Sequence, residues 1–118
     1  MNIGFIGLGN MGAPIMLGIC NRENNLFVYD QDISKLEQFK KNKRLVCCDN
    51  TGAVAENSDV VFTCLPSIEN VEQVLLAQNN KKGICDILQP GSLCVDLSSS
   101  DPLKTKTLAK KLKKKKIR

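Results

Sequence analysis

The chain has 118 residues, 42% hydrophobic and 25% charged, which bounds it to one domain at most with enough apolar residues for a real core. Its formal charge of +5 sits in residues 110–118, KKLKKKKIR; residues 1–109 hold ten basic against twelve acidic groups, so the body is mildly acidic and not a basic nucleic-acid binder. No apolar run approaches the ~20 residues of a membrane span, and the lack of histidine excludes mixed Cys/His zinc sites.

In chain order, Ile3, Phe5 and Ile6 read as a short buried strand. It runs into Gly7-Leu8-Gly9-Asn10-Met11-Gly12, a complete G-x-G-x-x-G, after which Ile15, Met16 and Ile19 recur at helical spacing. A second strand, Leu26-Phe27-Val28-Tyr29, ends at Asp30, 23 residues after the first glycine. Each part has a mechanical job. Gly7 makes the tight turn, Gly9 lets backbone approach a pyrophosphate, and Gly12 allows close helix–strand packing. The pyrophosphate would rest on the helix N-terminus, and Asp30 stands where a ribose hydroxyl would arrive. Strand, turn, helix, strand and acid in register point to a dinucleotide site.

Ser34-Lys35-Leu36-Glu37 reads as a capping box opening a short helix, with Leu36 and Phe39 or Lys40 one turn apart. Leu45–Cys48 is a third strand, and Thr51 caps a small helix through Ala55 that ends near Asn57. Val60–Leu65 is a near-continuous apolar run, the mark of a parallel strand buried on both faces, and Pro66 stops it. Ile68, Val71, Val74 and Leu75 mark one face of the next helix. Gly91 breaks a short connecting helix, Leu93–Val95 form a fifth strand ending at Asp96, and Asp101-Pro102 opens a last helix through Leu108 and Leu112.

Strands alternating with helices imply an α/β fold, a doubly wound parallel sheet of the Rossmann dinucleotide-binding type in order 3-2-1-4-5. Strands 1 and 4 then flank the switch point. Gly7–Gly12, Asp30, Leu65-Pro66 and Asp96–Ser99 fall along one rim, with adenine ribose at Asp30, diphosphate at the glycines and nicotinamide beyond Leu65. The domain is expected over residues 1–109, with 110–118 a lysine-rich helical tail. The tail has two readings, a nucleic-acid contact or a solvated helix end. No aromatic lies among the lysines and no second basic patch supports them, which favours the solvated end. Cys20, Cys47, Cys48, Cys64, Cys85 and Cys94 contain no C-x-x-C. Cys47, Cys64 and Cys94 fall in strand candidates, so the thiols read as buried packing in a reducing compartment.

GFIGLGNMGAP, the acid after strand 2, Leu65-Pro66-Ser67 and DLSSSDP at Asp96–Pro102 together resemble the β-hydroxyacid dehydrogenase family. That family includes 3-hydroxyisobutyrate dehydrogenase, tartronate semialdehyde reductase and, more distantly, 6-phosphogluconate dehydrogenase. The resemblance runs from Met1 to about Ala109, and Pro14 favours the 3-hydroxyisobutyrate-like branch. It implies diphosphate on the backbone of Leu8, Gly9, Asn10, Met11 and Gly12, and nicotinamide against Leu65 and Pro66 with Asn70 nearby. It also implies Ser99 reaching the cofactor, and Ser98 with Ser99 holding the substrate's carboxylate. Glu23-Asn24 departs from the family, whose members commonly close the first helix with glycine. Family members that use NADP have Asn-Arg where this chain has Asp30-Gln31. A carboxylate can accept both ribose hydroxyls of NAD and would face the extra phosphate of NADP, so NAD is expected. Lys35 is the one local cation able to soften that preference.

The resemblance further implies that the chain stops before the family's next strand, its Ser-Gly-Gly segment, its catalytic lysine and its helical second domain. The expectation is therefore a truncated N-terminal portion of an NAD(P)-dependent oxidoreductase acting on a small β-hydroxy acid or semialdehyde. No catalytic residue is expected within it: it has no histidine, and Tyr29 lies at the adenosine side. The alternative is a non-catalytic dinucleotide-binding module. The expected partners are the cofactor, with substrate and dimerisation only where the remaining half is supplied; no metal, membrane or nucleic acid is expected. With no basic leader segment visible, the expected compartment is the cytosol.

Overall fold

The computed structural model describes residues 1–9, 12–20, 24–65, 68–76, 83–97, 106 and 109–110. Five strands, β1 (Asn2–Ile6), β2 (Asn25–Tyr29), β3 (Leu45–Cys47), β4 (Val60–Thr63) and β5 (Leu93–Asp96), alternate with α1 (Gly12–Ile19), α2 (Ile33–Glu37), α3 (Thr51–Glu56), α4 (Ile68–Leu75) and a 3-10 turn over Ile84–Asp86. All four strand pairs are parallel and the order is β3-β2-β1-β4-β5. This is the doubly wound Rossmann arrangement: the chain winds outward from β1 to β3, returns, and continues outward through β4 to β5 on the other side.

Alternation along β1 divides the core between the two faces of the sheet. Ile3 and Phe5 join Leu8, Met16, Leu26, Val28, Leu36 and Leu45 on the side covered by α1 and α2. Ile6 joins Val54, Ala55, Val61, Val71, Leu75, Ile84 and Leu88 on the side covered by α3, α4 and the 3-10 turn. Phe5 and Phe62, paired across β1 and β4, stack with centroids 5.9 Å apart. Burying both faces is why β1 and β4 read as nearly unbroken apolar runs.

Three local expectations are corrected. The cap of α2 is Asp32, not Ser34: the Asp32 carboxylate accepts from the Ser34 N–H at 3.0 Å and from its hydroxyl at 2.7 Å. These bonds, made largely in solvent, hold its carboxyl below the usual carboxylate range. Asn50, not Thr51, caps α3, accepting from the Ala53 N–H at 2.8 Å. On α1, Met16 is fully buried but Ile15 and Leu17 face outward; the helix is apolar nearly all round, so spacing could not say which side meets the sheet. The cysteines also sort differently. Cys48 and Cys85, outside the strands, are the buried pair, while Cys47, Cys64 and Cys94 are half-buried. Among the described residues no helix is long and apolar enough to cross a membrane and no group of three or more candidate ligands gathers around a metal position. The expected N-cap at Asp101-Pro102 and most of the lysine tail lie outside the described residues.

Candidate functional site

The register of β1 against its neighbours builds the rim. Ile6 stands opposite Tyr29 on β2 and Thr63 on β4. Gly7 N–H donates to the Tyr29 carbonyl at 3.0 Å, and Cys64 N–H to the Ile6 carbonyl at 2.9 Å. Gly7 therefore leaves the sheet between two strands, with φ at 104°, where any side chain would be strained. A methyl group there would also run into the Cys64 carbonyl, and one at Gly12 into the Gly7 carbonyl. The start of α1 thus lies directly on the turn, with Ala13 N–H bonded to the Gly9 carbonyl at 3.0 Å.

Gly9 is different. Among the described residues, the one atom within 4 Å of a Cβ built there is Lys35 Nζ, at 4.0 Å. Space is open above the second glycine, beside a helix N-terminus whose first amides have no intrahelical acceptor, and an ammonium group borders it. A diphosphate fits that donor set. Lys35 reaches this place from the first turn of α2, which the Asp32 cap anchors.

Asp30 follows β2 at the level of the turn. Its Oδ2 accepts from the Leu8 N–H at 2.7 Å, and its Oδ1 from the Asp32 N–H at 2.8 Å. One carboxylate therefore ties the glycine turn to the start of the β2–α2 connection. Leu8 contributes through this bond: its side chain is buried and its N–H is committed to Asp30, so the amides left to face a phosphate begin further along the turn.

The other half of the rim follows β4 and β5. Leu65 lies over the turn, its Cδ2 3.3 Å from the Cβ position of Gly7. Thr63, fully buried, donates from its hydroxyl to Asp96 Oδ1 at 3.1 Å, and Leu97 N–H bonds the Thr63 carbonyl at 2.7 Å. The ends of β4 and β5 are thereby cross-linked where the chain leaves for Ser98 and Ser99. Burial, with the nearby Asp96 charge, pushes the Cys64 thiol up. Asn70 sits half-buried in the first turn of α4.

The fold thus brings Gly7, Leu8, Gly9, Gly12, Asp30 and Leu65 to one edge, with Asn70 on the helix that follows Leu65. Asn10, Met11, Pro66, Ser98 and Ser99 lie outside the described residues. Sequence reasoning missed the Thr63–Asp96 bond. Its signal is a polar residue in each of two neighbouring strands: in the sequence Thr63 reads as part of a buried run, and Asp96 as the end of the fifth strand and part of the rim.

The family model describing the NAD binding domain of 6-phosphogluconate dehydrogenase matches residues 2–118. Over 112 residues the chain is 37% identical to the mitochondrial 3-hydroxyisobutyrate dehydrogenase of Mus musculus, covering 95% of this chain and 32% of that protein. It is 31% identical to the 2-hydroxy-3-oxopropionate reductase of Escherichia coli (strain K12), again over 95% of this chain and 37% of that one. The chain therefore spans about a third of the length of the curated relatives it matches. Among solved structures, an imine reductase from Myxococcus stipitatus in complex with NADP+ superposes with a TM-score of 0.86 at 20% identity, over 99% of this chain and 38% of that one. A variant of it in complex with NAD+ gives 0.86 at 19%, over 98% and 38%. At these identities the superpositions establish the fold.

Proposed function

The chain belongs to the family of NAD-binding domains typified by 6-phosphogluconate dehydrogenase, and from that premise we propose that it holds NAD, in preference to NADP, for hydride transfer to or from a small β-hydroxy acid or semialdehyde. The carrying observation is Asp30, at the end of β2, clasping the glycine turn through Leu8 N–H. That places a carboxylate beside the turn, where the adenosine ribose of a cofactor resting on Gly9 and Gly12 would meet it.

Bound there, the cofactor supplies or accepts the hydride; the chain's residues bind and orient it. The backbone of Asn10 and Met11, as the family resemblance implies, and the start of α1 would hold the diphosphate, Lys35 would add a cation at its edge, and Asp30 would grip the ribose hydroxyls. By the family resemblance, Leu65, Pro66 and Asn70 would border the nicotinamide half, Ser99 would reach the cofactor, and Ser98 with Ser99 would hold a substrate carboxylate. Selectivity follows from charge. A phosphate on the ribose would sit near the carboxylate, and two unit charges ~4 Å apart repel by about 4 kcal/mol at an effective dielectric near 20. Solvent and Lys35 screen part of that, and a preference for NAD of at least about tenfold remains.

We assign the cofactor half of the reaction to these residues and no proton relay: there is no histidine, and the single tyrosine, Tyr29, lies in β2. Six unbridged thiols support a reducing compartment, the cytosol in our reading. The test is titration with NADH and NADPH, with turnover measured on short β-hydroxy acids. Tighter NADH binding supports the proposal. Binding without turnover makes the chain a dinucleotide-binding module, and no affinity for either cofactor refutes the reading.

A further inference from the structure

The last residue of β4 is a polar side chain in an apolar place. Thr63 is fully buried, as is Val61 two positions earlier on the same side of the strand, in the core under α3 and α4. A valine at position 63 would have the same shape and no hydroxyl to strip of water, so on burial alone threonine is the costlier residue. Its hydroxyl is nevertheless satisfied, donating at 3.1 Å to Oδ1 of Asp96, which stands directly opposite in the β4–β5 register. Asp96 is half-buried, at the last position of β5.

Backbone bonds already join the strands at this level. The peptide between Thr63 and Cys64 is held on both sides: its carbonyl accepts from Leu97 N–H at 2.7 Å, and its N–H donates to the Ile6 carbonyl at 2.9 Å. One peptide thus ties β5 to β1, just where the glycine turn leaves β1 at Gly7. Leu65, two residues beyond Thr63, lies over that turn. Strand pairing therefore does not need the hydroxyl. What the hydroxyl adds is a fixed direction for the Asp96 side chain and a fixed spacing of two strand ends, and it does so at the rim, after the apolar Val60, Val61 and Phe62.

We propose that Thr63 and Asp96 are a positioning pair for the nicotinamide half of the cofactor. Their bond holds the carboxyl ends of β4 and β5 in one arrangement before the cofactor arrives. Leu65 on one side and the chain leaving Leu97 on the other then need no ordering by the ligand. Ordering a side chain or a short segment on binding is subtracted from affinity, and the link removes that cost in advance. Thr63 and Asp96 stand on the β4–β5 side of the switch point, whereas Asp30 and Lys35 follow β2 on the other. The effect is therefore one-sided, felt by the nicotinamide half and not by the adenosine half. The inference rests on the reading of this rim as a dinucleotide site with its nicotinamide half beyond Leu65.

The test compares NADH with ADP-ribose, which keeps the adenosine and the diphosphate and lacks the nicotinamide, by calorimetric titration of the full chain. Thr63→Val removes the hydroxyl at constant shape. It should bind NADH roughly three- to tenfold more weakly and ADP-ribose as wild type does. Thr63→Ser, which keeps the hydroxyl, should restore NADH binding. Asp96→Ala should repeat the pattern of Thr63→Val, and the double variant should be no weaker than the weaker single one, because both changes remove the same bond. Asp96 is half-buried, so Asp96→Ala carries the comparison where Thr63→Val folds poorly. Equal losses for NADH and ADP-ribose overturn the proposal, since a bond that only supports the fold would weaken both. Unchanged NADH affinity in Thr63→Val and Asp96→Ala, or additive losses in the double variant, overturns it as well. Wild-type protein that binds ADP-ribose as tightly as NADH refutes the positioning alone; wild-type protein that binds neither refutes the cofactor site and the positioning together.

Discussion

Replacing Asp30 separates its two roles, because asparagine and alanine remove different things. In Asp30→Ala the Leu8 N–H loses its acceptor in a part-buried setting, whereas the Asp32 N–H is exposed and turns to water. Only the first loss matters for stability. An unsatisfied buried donor costs about 1–3 kcal/mol, which for a domain of this size lowers the melting temperature by roughly 4–12 °C. In Asp30→Asn the side-chain oxygen keeps Leu8, its NH2 meets solvent near Asp32, and the fold loses about 1 kcal/mol or less. The charge is gone, however. Charge-assisted bonds to a ribose diol contribute about 1.5–3 kcal/mol, so NADH should bind roughly 10- to 150-fold more weakly to Asp30→Asn. NADPH, relieved of repulsion, should bind no worse than to wild type. The assay is fluorescence titration of both cofactors on wild type and both variants, beside thermal melts. A ratio of NADPH to NADH affinity that stays the same in Asp30→Asn refutes the role of the carboxylate as cofactor selector. An unchanged melting temperature in Asp30→Ala refutes its role as the clasp of the turn.

Gly12→Ala should lose about 2 kcal/mol or more and most NADH affinity, since the new methyl meets the Gly7 carbonyl, a backbone atom that cannot swing aside; near-wild-type melting and binding would show that α1 does not rest on the turn. Lys35→Ala should weaken both cofactors, NADPH about two- to fivefold and NADH somewhat less, as expected for one exposed cation at the edge of the diphosphate that also faces a ribose phosphate; unchanged affinity for both would remove the lysine from the site. The pH dependence has a defined sign. Burial pushes the Cys47, Cys48 and Cys64 thiols up, and Cys94 is raised by Cys85 and burial. Above pH ~8.5 the unfolded chain releases thiol protons that the folded chain retains, so stability is intact below that pH and falls above it, by at most about 1.4 kcal/mol per thiol for each pH unit. Thermal melts from pH 7 to 10.5 under reducing conditions test this, and a flat profile above pH 9 would contradict it.

What the sequence disclosed and what it withheld divide by the range of the interaction. The five strands, their order and the carboxyl-end rim follow from periodicity and the alternation of elements, because parallel strands buried on two faces leave a continuous apolar signature. Helix starts were misplaced by one or two residues where capping residues compete. In Asp32-Ile33-Ser34, the serine bonds to the aspartate that caps the helix instead of capping it itself. At Asn50-Thr51 the first capable side chain takes the cap. The outward side of α1 was illegible for a different reason. Met16 and Ile15 are equally apolar neighbours, and only the packing of Gly12 onto Gly7 decides which of them points at the sheet.

Asp30 shows the same division within one residue. Its spacing from the glycines marked it as a ribose ligand, a reading that needs nothing but chain order. Its bond to Leu8 depends on the β1–β2 register, with Ile6 opposite Tyr29, since a slip of one residue would carry the carboxylate away from the turn. The two roles reinforce each other. A carboxylate left loose at a strand end would have to be ordered by the incoming ribose, at a cost of up to about 1–2 kcal/mol of side-chain entropy. Here two backbone amides have already oriented it, so the same hydrogen bonds that steady the glycine turn also prepare the acid for the sugar. An acid merely present at this position, in a chain whose register did not supply the Leu8 amide, should therefore bind the dinucleotide less tightly than the same acid does here.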